Sequence, residues 1–172
     1  MIRYSSRAIH YSVATHIETQ LRDLGWMDAS TTPFGAPALD IRTSTPRPYQ
    51  TDTASIVPGA VAITLGDNED AEPQEIGGPL YLIEYPMFVD IYMDKDAHAL
   101  AVAQDVWDIC AGRINGTSRY LPVTDLTTGN LATGWLIELT DLERTRPVHD
   151  LKVHWQVVKV TASTYFPEVS YE

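Results

Sequence analysis

A run of strict alternation constrains this chain more than any other feature. Apolar side chains occupy every odd position from 81 to 93, namely Tyr81, Ile83, Tyr85, Met87, Val89, Ile91 and Met93. Because successive side chains of a β-strand point to opposite faces, this period of two predicts one long strand with a buried face. At about 3.3 Å per residue it would run roughly 40 Å and project beyond the domain. Pro86 falls within the run and predicts an edge position or a bulge.

An amphipathic helix is predicted on each side of this strand. The first covers residues 5–24, where apolar side chains recur at helical spacing, and Gly25 follows as the left-handed residue that ends it. The second helix follows the strand, with Asp94 or Asp96 as its cap. Its apolar arc is broad and comprises Leu100, Ala103, Val106, Trp107, Cys110 and Ile114, widened by Ala99, Val102 and Ile109. The polar strip, which includes His98, is so thin that this helix is expected to need partners on two sides.

Shorter alternating runs predict the rest of the sheet. They cover residues 61–65, 120–126, 135–140 and 151–160. In the last run the apolar positions change from odd to even after Val157, which indicates either a bulge or burial on both faces. The order of the elements predicts an α+β fold, an antiparallel or mixed β-sheet with two α-helices packed on one face. A single domain is expected over residues 1–172.

Three segments fall outside this pattern. Five prolines are spread over residues 30–59, which predicts a long Pro-rich arm without regular structure. Residues 66–79 are expected to form a solvated acidic loop, with carboxylates at Asp67, Glu69, Asp70, Glu72 and Glu75. Residues 162–172 are expected to form a C-terminal tail.

The charge balance argues against several functions. The chain has 23 acidic and 12 basic residues, a formal charge of −11, and no cluster of Lys or Arg that could neutralise a run of DNA phosphates. Attraction to an anionic membrane surface is disfavoured for the same reason, and neither a signal peptide nor a transmembrane span is expected. Cys110 is the single cysteine, so no internal disulfide is possible and a reducing compartment fits best.

No catalytic, cofactor or metal site is predicted, and an enzyme is not expected. His10 and His16 lie on different sides of the first helix, so they cannot point at one ion and are expected to be solvated. His149 and His154 lack a third ligand at a suitable spacing. Cys110 falls within an apolar arc, where a thiol behaves as a small hydrophobic side chain.

The layout as a whole resembles a known family. An amphipathic helix, then a long strand that runs into a capped helix over residues 85–100 with Trp107 further on, then final strands ending at 151–160, is similar to the tail terminator proteins of long-tailed, siphovirus-type bacteriophages. The likeness covers residues 5–25 and 60–161 and rests on element order. It implies a hexameric ring on the last ring of the tail tube, which ends tube polymerisation and joins the tail to the head-closure protein. It also implies a place in the virion after assembly in the host cytoplasm, with genomic DNA passing through the ring without specific binding.

A ring needs two different contact surfaces on each subunit. The candidates are the projecting strand and the second helix, through Tyr81, Tyr85, Met87, Leu100, Val106, Trp107 and Ile109. The acidic loop is a candidate for lining the lumen, where its charge would repel DNA phosphates, or for facing a neighbouring ring.

Two alternatives stay open. One is another neck or tail subunit, such as a head-closure or tube protein; the other is a small cytosolic enzyme or ligand-binding domain with Trp135, Trp155 and Tyr85 around a pocket.

Overall fold

The described residues of this protein form two helices and seven strands in a computed structural model. The structure describes residues 5–42, 56–66, 70–73, 80–114, 116–148 and 152–167. The elements are α1 (Ser5–Asp23), β1 (Asp40–Arg42), β2 (Ala60–Leu65), β3 (Asp70–Pro73), β4 (Leu80–Met93), α2 (Asp96–Cys110), β5 (Tyr120–Thr124), β6 (Leu131–Thr145) and β7 (His154–Pro167). A short 3-10 turn, Pro33–Gly35, precedes β1.

The strands form one mixed sheet in the order β1-β2-β4-β7-β6-β5, with β3 beside β4. β1 and β2 are parallel, and the other neighbours are antiparallel. Both helices pack on one face, because buried side chains of α1 and α2 share a core with the odd-numbered side chains of β4. The predicted α+β fold, with two helices on one face of a mixed sheet, is confirmed.

The long strand predicted from the alternation is β4, and it lies inside the sheet. All of its 14 residues pair with β7 on one side, while β2 and β3 pair with it on the other. The edge position predicted for Pro86 is therefore wrong, since Pro86 lies opposite the interval between the end of β2 and the start of β3. The N–H of Gly66 donates to the Pro86 carbonyl at 2.7 Å. The nitrogen of Pro86 points to that same side, so no ladder bond to β7 is lost.

Burial on both faces accounts for the change of apolar positions along β7. Trp155 and Val157 belong to a cluster on one face, Val158 and Val160 belong to the helix-side core, and all four are at most 8% exposed. The pairing of β7 with β4 runs without a shift of register, so no bulge is needed in this strand. A register shift does occur in β6, where it pairs with β7.

α1 ends as its sequence predicts. Gly25 has a φ of 89°, its N–H donates to the carbonyl of Arg22, and the N–H of Trp26 donates to that of Leu21. This is a Schellman C-cap, and Leu21 and Trp26, both 0% exposed, supply the apolar contact that accompanies it. A Cβ at residue 25 would also lie 2.8 Å from the Thr31 carbonyl oxygen, so both the backbone and the space require glycine.

α2 begins differently from its prediction. Neither Asp94 nor Asp96 is the cap; the N-cap is Lys95, whose side chain makes no capping hydrogen bond. Asp94 instead hydrogen-bonds His98, with 2.7 Å between Oδ1 and Nδ1, and Asp96 lies 3.2 Å from Arg146. His98 does not belong to the solvated strip, because it is only 6% exposed. The carboxylate that was expected to start the helix holds this buried histidine.

The Pro-rich arm predicted at residues 30–59 contains regular structure where it is described. The 3-10 turn and β1 both lie within it. Ala36 and Leu39 are buried in the helix-side core, so this part of the segment packs against the domain. Residues 43–55 lie outside the described part of the chain.

The acidic loop and the C-terminal tail are likewise shorter than predicted. Asp70–Pro73 form β3 and pair with β4, so these four residues are a strand rather than a solvated loop. β7 continues to Pro167, well into the segment expected to be a tail. Backbone pairing with the long β4 decides both boundaries, and side-chain polarity does not reveal such pairing.

A second apolar cluster lies on the sheet face opposite the helices. It contains Tyr92, Val153, Trp155 and Val157. The rings of Tyr92 and Trp155 stack with 5.7 Å between centroids, and the indole N–H of Trp155 donates to Oδ1 of Asp90 at 2.9 Å. The sheet is thus covered on both faces near the end of β4.

Candidate assembly surfaces

Most of the side chains predicted to form an interface between copies lie in the core of the chain's own fold. Four of them are at most 1% exposed: Tyr85, Met87, Val106 and Ile109. A covered side chain adds no contact area to a partner, so these four are removed from the candidate interface. Leu100 is 40% exposed and Trp107 is half-buried, and both face away from the sheet. The side chain of Tyr81 lies outside the described part of the chain.

The exposed side of α2 forms the floor of an open groove of about 580 Å³, which we call the α2 groove. Its floor comprises Ala97, His98, Leu100, Ala101 and Gln104. Phe34 and Arg144 of β6 complete its lining. Two alanines one helical turn apart keep the floor low, so a partner's side chains could approach the helix closely.

Phe34 is held in solvent by a hydrogen-bonded turn. Its side chain is 82% exposed, and its φ of 59° lies in the left-handed region that non-glycine residues rarely adopt. The Thr32 hydroxyl donates to the Ala36 carbonyl at 2.6 Å, and the N–H of Ala36 donates to Pro33 at 3.1 Å. Backbone strain of this kind is concentrated at binding sites. Exposed apolar surface of this kind is also typical of sites that contact another molecule.

Arg144 places a cation beside this apolar floor. Its Nη1 donates to Oε1 of Gln104 at 2.9 Å, and Nε2 of Gln104 donates to Asp108 at 3.1 Å. The ion pairs of the described residues do not include Arg144, whereas its neighbour Arg146 pairs with Asp96. The guanidinium of Arg144 is therefore oriented by a neutral amide and keeps capacity for an acidic partner.

A second exposed apolar surface lies on the opposite face of the sheet. Pro122 of β5 pairs with Leu136 of β6, and Leu136 and Tyr120 are 57% and 50% exposed. Arg119 lies over the Tyr120 ring, 5.4 Å from its centroid, and 3.1 Å from the Glu138 carboxylate. Tyr120, Pro122 and Leu136 make up what we call the sheet patch. Their sequence neighbours point into the helix-side core, so the patch and the α2 groove lie on opposite sides of the fold.

The sheet also extends past the helices where β4 begins. Here β4 is flanked by β3 and by the end of β7, with Leu80 opposite Pro167. Ile83 is half-buried and packs at the margin of the helix-side core, whereas the odd-numbered side chains further along β4 are at most 1% exposed. The odd-numbered face of β4 is thus less covered by the helices toward its start, and projection of the strand beyond the domain stays a prediction.

The predicted acidic site is only partly described. Asp70 and Glu72 belong to β3, where Asp70 is paired in register with Glu84 of β4. Asp67, Glu69 and Glu75 lie outside the described residues. The described part of the acidic segment is thus a strand beside the first residues of β4.

The histidines of α1 and the cysteine of α2 are hydrogen-bonded or buried within the fold. His10 and His16 are half-buried rather than fully solvated. Nε2 of His10 donates to the Ile63 carbonyl at 2.8 Å, and partial burial lowers the pKa of His16. Cys110 is 0% exposed, and burial raises its pKa to about 12, so it behaves as the predicted hydrophobic residue. Within the described ranges, no three His, Cys, Asp or Glu side chains are grouped so that they could hold a metal ion.

The pocket considered for a ligand-binding domain is not formed by its three aromatic residues. Tyr85 and Trp135 belong to the helix-side core, whereas Trp155 belongs to the cluster on the other face of the sheet. The indole of Trp135 donates to Thr164 at 2.5 Å and that of Trp155 donates to Asp90. Each indole N–H is satisfied within the fold.

Three of the exposed groups escaped the sequence reasoning. Phe34 lies between Pro33 and Gly35, and an aromatic residue flanked by turn formers is a sequence signal of exposure. Leu136 is apolar at a position where the alternation of β6 calls for a polar residue. Arg144 carries no such signal, because its position beside α2 depends on the register of β6 against β7.

No family model and no curated protein matches this chain. In the described part, neither helix is long and apolar enough to cross a membrane.

Proposed function

We propose that this protein is a phage tail terminator, a virion subunit that forms a ring on the tail tube, ends tube polymerisation and joins the tail to the neck. The observation that carries the proposal is the pair of exposed apolar surfaces on opposite sides of one acidic subunit. The α2 groove and the sheet patch differ in shape and composition. Two unlike surfaces support a heterologous contact, which generates a closed ring when the rotation between subunits closes.

The projecting end of the sheet supports a further contact along the tube axis. β4, β6 and β7 have 14, 15 and 14 residues, more than twice the usual strand length of about 5–6. The half-buried Leu82, Ile83 and Glu84 at the start of β4 keep side-chain surface that a second protein can cover. Under the proposal the β3–β4 side of this end meets either the tube or the head-closure protein, and the end of β7 stays available for the neighbouring subunit of the ring.

The charge of the subunit supports passage of DNA without retention. A ring of six copies would carry six times the formal −11 of one chain, and carboxylates near a lumen repel phosphates. Replacement of Asp67, Glu69, Asp70, Glu72 and Glu75 by amides tests whether the acidic segment faces the lumen. Under this hypothesis DNA adheres to the variant ring and ejection slows; unchanged adhesion and ejection would refute a lumen position.

Tube length is the experiment that tests the proposed function. Purified tube protein is allowed to polymerise with increasing amounts of this chain, and lengths are measured by electron microscopy. Tubes are expected to shorten and to carry one distinct terminal ring. Unaltered lengths at saturating protein would contradict termination.

A matched pair of variants connects this result to the surface. Leu100 in the α2 groove and Leu126 in the β5–β6 turn are 40% and 38% exposed. Leu100→Asp is expected to abolish capping because it places a charge in a contact, whereas Leu126→Asp is expected to cap as the wild type does. Equal behaviour of the two variants would remove the groove from the proposal.

The alternatives give different results in the same experiments. A tube subunit would enter tubes along their length, and a head-closure subunit would leave the free tubes unchanged. A ligand-binding domain would remain a monomer in light scattering and carry a small molecule in native mass spectrometry.

A further inference from the structure

We propose that the α2 groove of each subunit holds residues 168–172 of a neighbouring copy of this chain. The inference rests on the proposed ring and names the contact that closes it. It is carried by three properties of the groove: its shape, its cation and its distance from the end of β7.

The spacing of the groove floor matches an extended segment. Ala97 and Ala101 lie one helical turn apart, which is about 6 Å along the axis, and both line the groove. In an extended chain, side chains two residues apart recur at about 6.6 Å on the same side. Val169 and Tyr171 are two residues apart in the sequence. Each can therefore lie over one of the small alanine side chains.

The charges are complementary. Residues 168–172 read Glu-Val-Ser-Tyr-Glu, so carboxylates flank the two apolar side chains. Arg144 stands at the wall of the groove with a neutral amide as its hydrogen-bond acceptor. A glutamate of the incoming segment would provide this guanidinium with a carboxylate at the edge of a partly desolvated site.

Residues 168–172 are too short to reach the α2 groove of their own subunit. Arg144 is paired in register with Val158, and β7 runs on from there to Pro167, nine residues further, or about 30 Å. Residues 168–172 extend at most about 18 Å even when fully stretched. They cannot turn back to the groove of the same subunit, but they can enter that of a neighbour placed beside the end of β7. Such a contact runs from one subunit to the next in a single direction, as a closed ring requires.

Engineered thiols test the contact directly. Ala97→Cys and Val169→Cys are introduced separately and together in the full chain, and diamide oxidises each pair of thiols to a disulfide. Native Cys110 is 0% exposed, with a pKa of about 12, so it stays out of the reaction. A mixture of the two single variants is expected to give a covalent dimer. The double variant is expected to give a ladder of multimers, and its control is Thr15→Cys with Val169→Cys, because Thr15 is exposed on α1.

Every outcome of this experiment is informative. A ladder for the groove pair that is absent from the control pair supports the proposal. A disulfide within single chains, or equal crosslinking of the control, overturns it. A ring of wild-type mass that does not crosslink overturns the groove contact and leaves the proposed function standing, whereas a wild-type chain that stays monomeric and does not cap tubes refutes the ring itself.

Charge reversal provides an independent test. Arg144→Glu is expected to weaken subunit association about fivefold to tenfold per contact, because it opposes like charges in the groove. Glu168→Arg combined with Glu172→Arg is expected to restore association in that background and to weaken it alone. Loss of tube capping by Arg144→Glu with unchanged particle mass would instead assign the groove to the tube protein and overturn the proposal.

Discussion

The hydrogen bond between Trp26 and Asp105 gives the sharpest prediction about stability. Trp26 follows α1, is 0% exposed, and donates its indole N–H to Oδ2 of the half-buried Asp105 on α2 at 2.6 Å. Asp105→Ala removes the acceptor and leaves a buried donor without a partner, at a cost of about 1–3 kcal/mol. Taking about 2 kcal/mol and the sensitivity expected for a chain of this size, Tm should fall by about 4–8 °C.

Chemical denaturation with a matched variant measures this cost. Asp105→Asn keeps a carbonyl oxygen for the indole N–H, so its free energy of unfolding should stay within about 1 kcal/mol of the wild type. Trp26→Phe together with Asp105→Ala completes a double-mutant cycle that isolates the coupling between the two residues. If Asp105→Ala loses less than about 0.5 kcal/mol, water has replaced the carboxylate and the reasoning is refuted.

The remaining predictions use the same equilibrium and reactivity measurements. Burial raises the pKa of Asp105 above its usual 3.8, so the folded state holds the proton more tightly than the unfolded state does. The wild type therefore loses stability as pH rises from about 4 through the raised pKa. Over that window Asp105→Asn should become more stable relative to the wild type, and a constant difference in stability would contradict this. Ile109→Ala should lower the free energy of unfolding by about 2–5 kcal/mol, because Ile109 is buried in the core. A variant with weaker self-association but an unchanged free energy of unfolding would contradict this. Gly25→Ala should destabilise by about 1 kcal/mol or more through its φ of 89° and the Thr31 carbonyl, seen as a lower Tm. Cys110 should react with a thiol reagent only on unfolding, and rapid labelling of the native protein would disprove its burial.

The helices and strands were predictable wherever a single period was visible. The sequence predicts β4 because each odd position from 81 to 93 is apolar. It predicts the end of α1 because Gly25 follows the last apolar position of the helix. The place of Pro86 was not readable, since it depends on where β2 ends and β3 begins on a neighbouring strand. Local patterns report which side chains prefer burial, but they do not report which strands supply it.

The interface was predicted less well for a physical reason. Met87 and Val106 are predicted at the interface because they are apolar. The same property favours their burial in the core of their own chain, where both are 0% exposed. The residues left exposed, such as Phe34 and Leu136, are exceptions to the patterns around them. An apolar residue in a polar context is thus a better sign of an interface than a strong apolar run.

The mass of the purified particle tests the central claim, a ring-forming subunit, most directly. Native mass spectrometry or sedimentation of the full chain should find a particle of about 115 kDa, six times the 19.1 kDa subunit, in equilibrium with monomer. A single species at the monomer mass, at concentrations where tube protein polymerises, would contradict it.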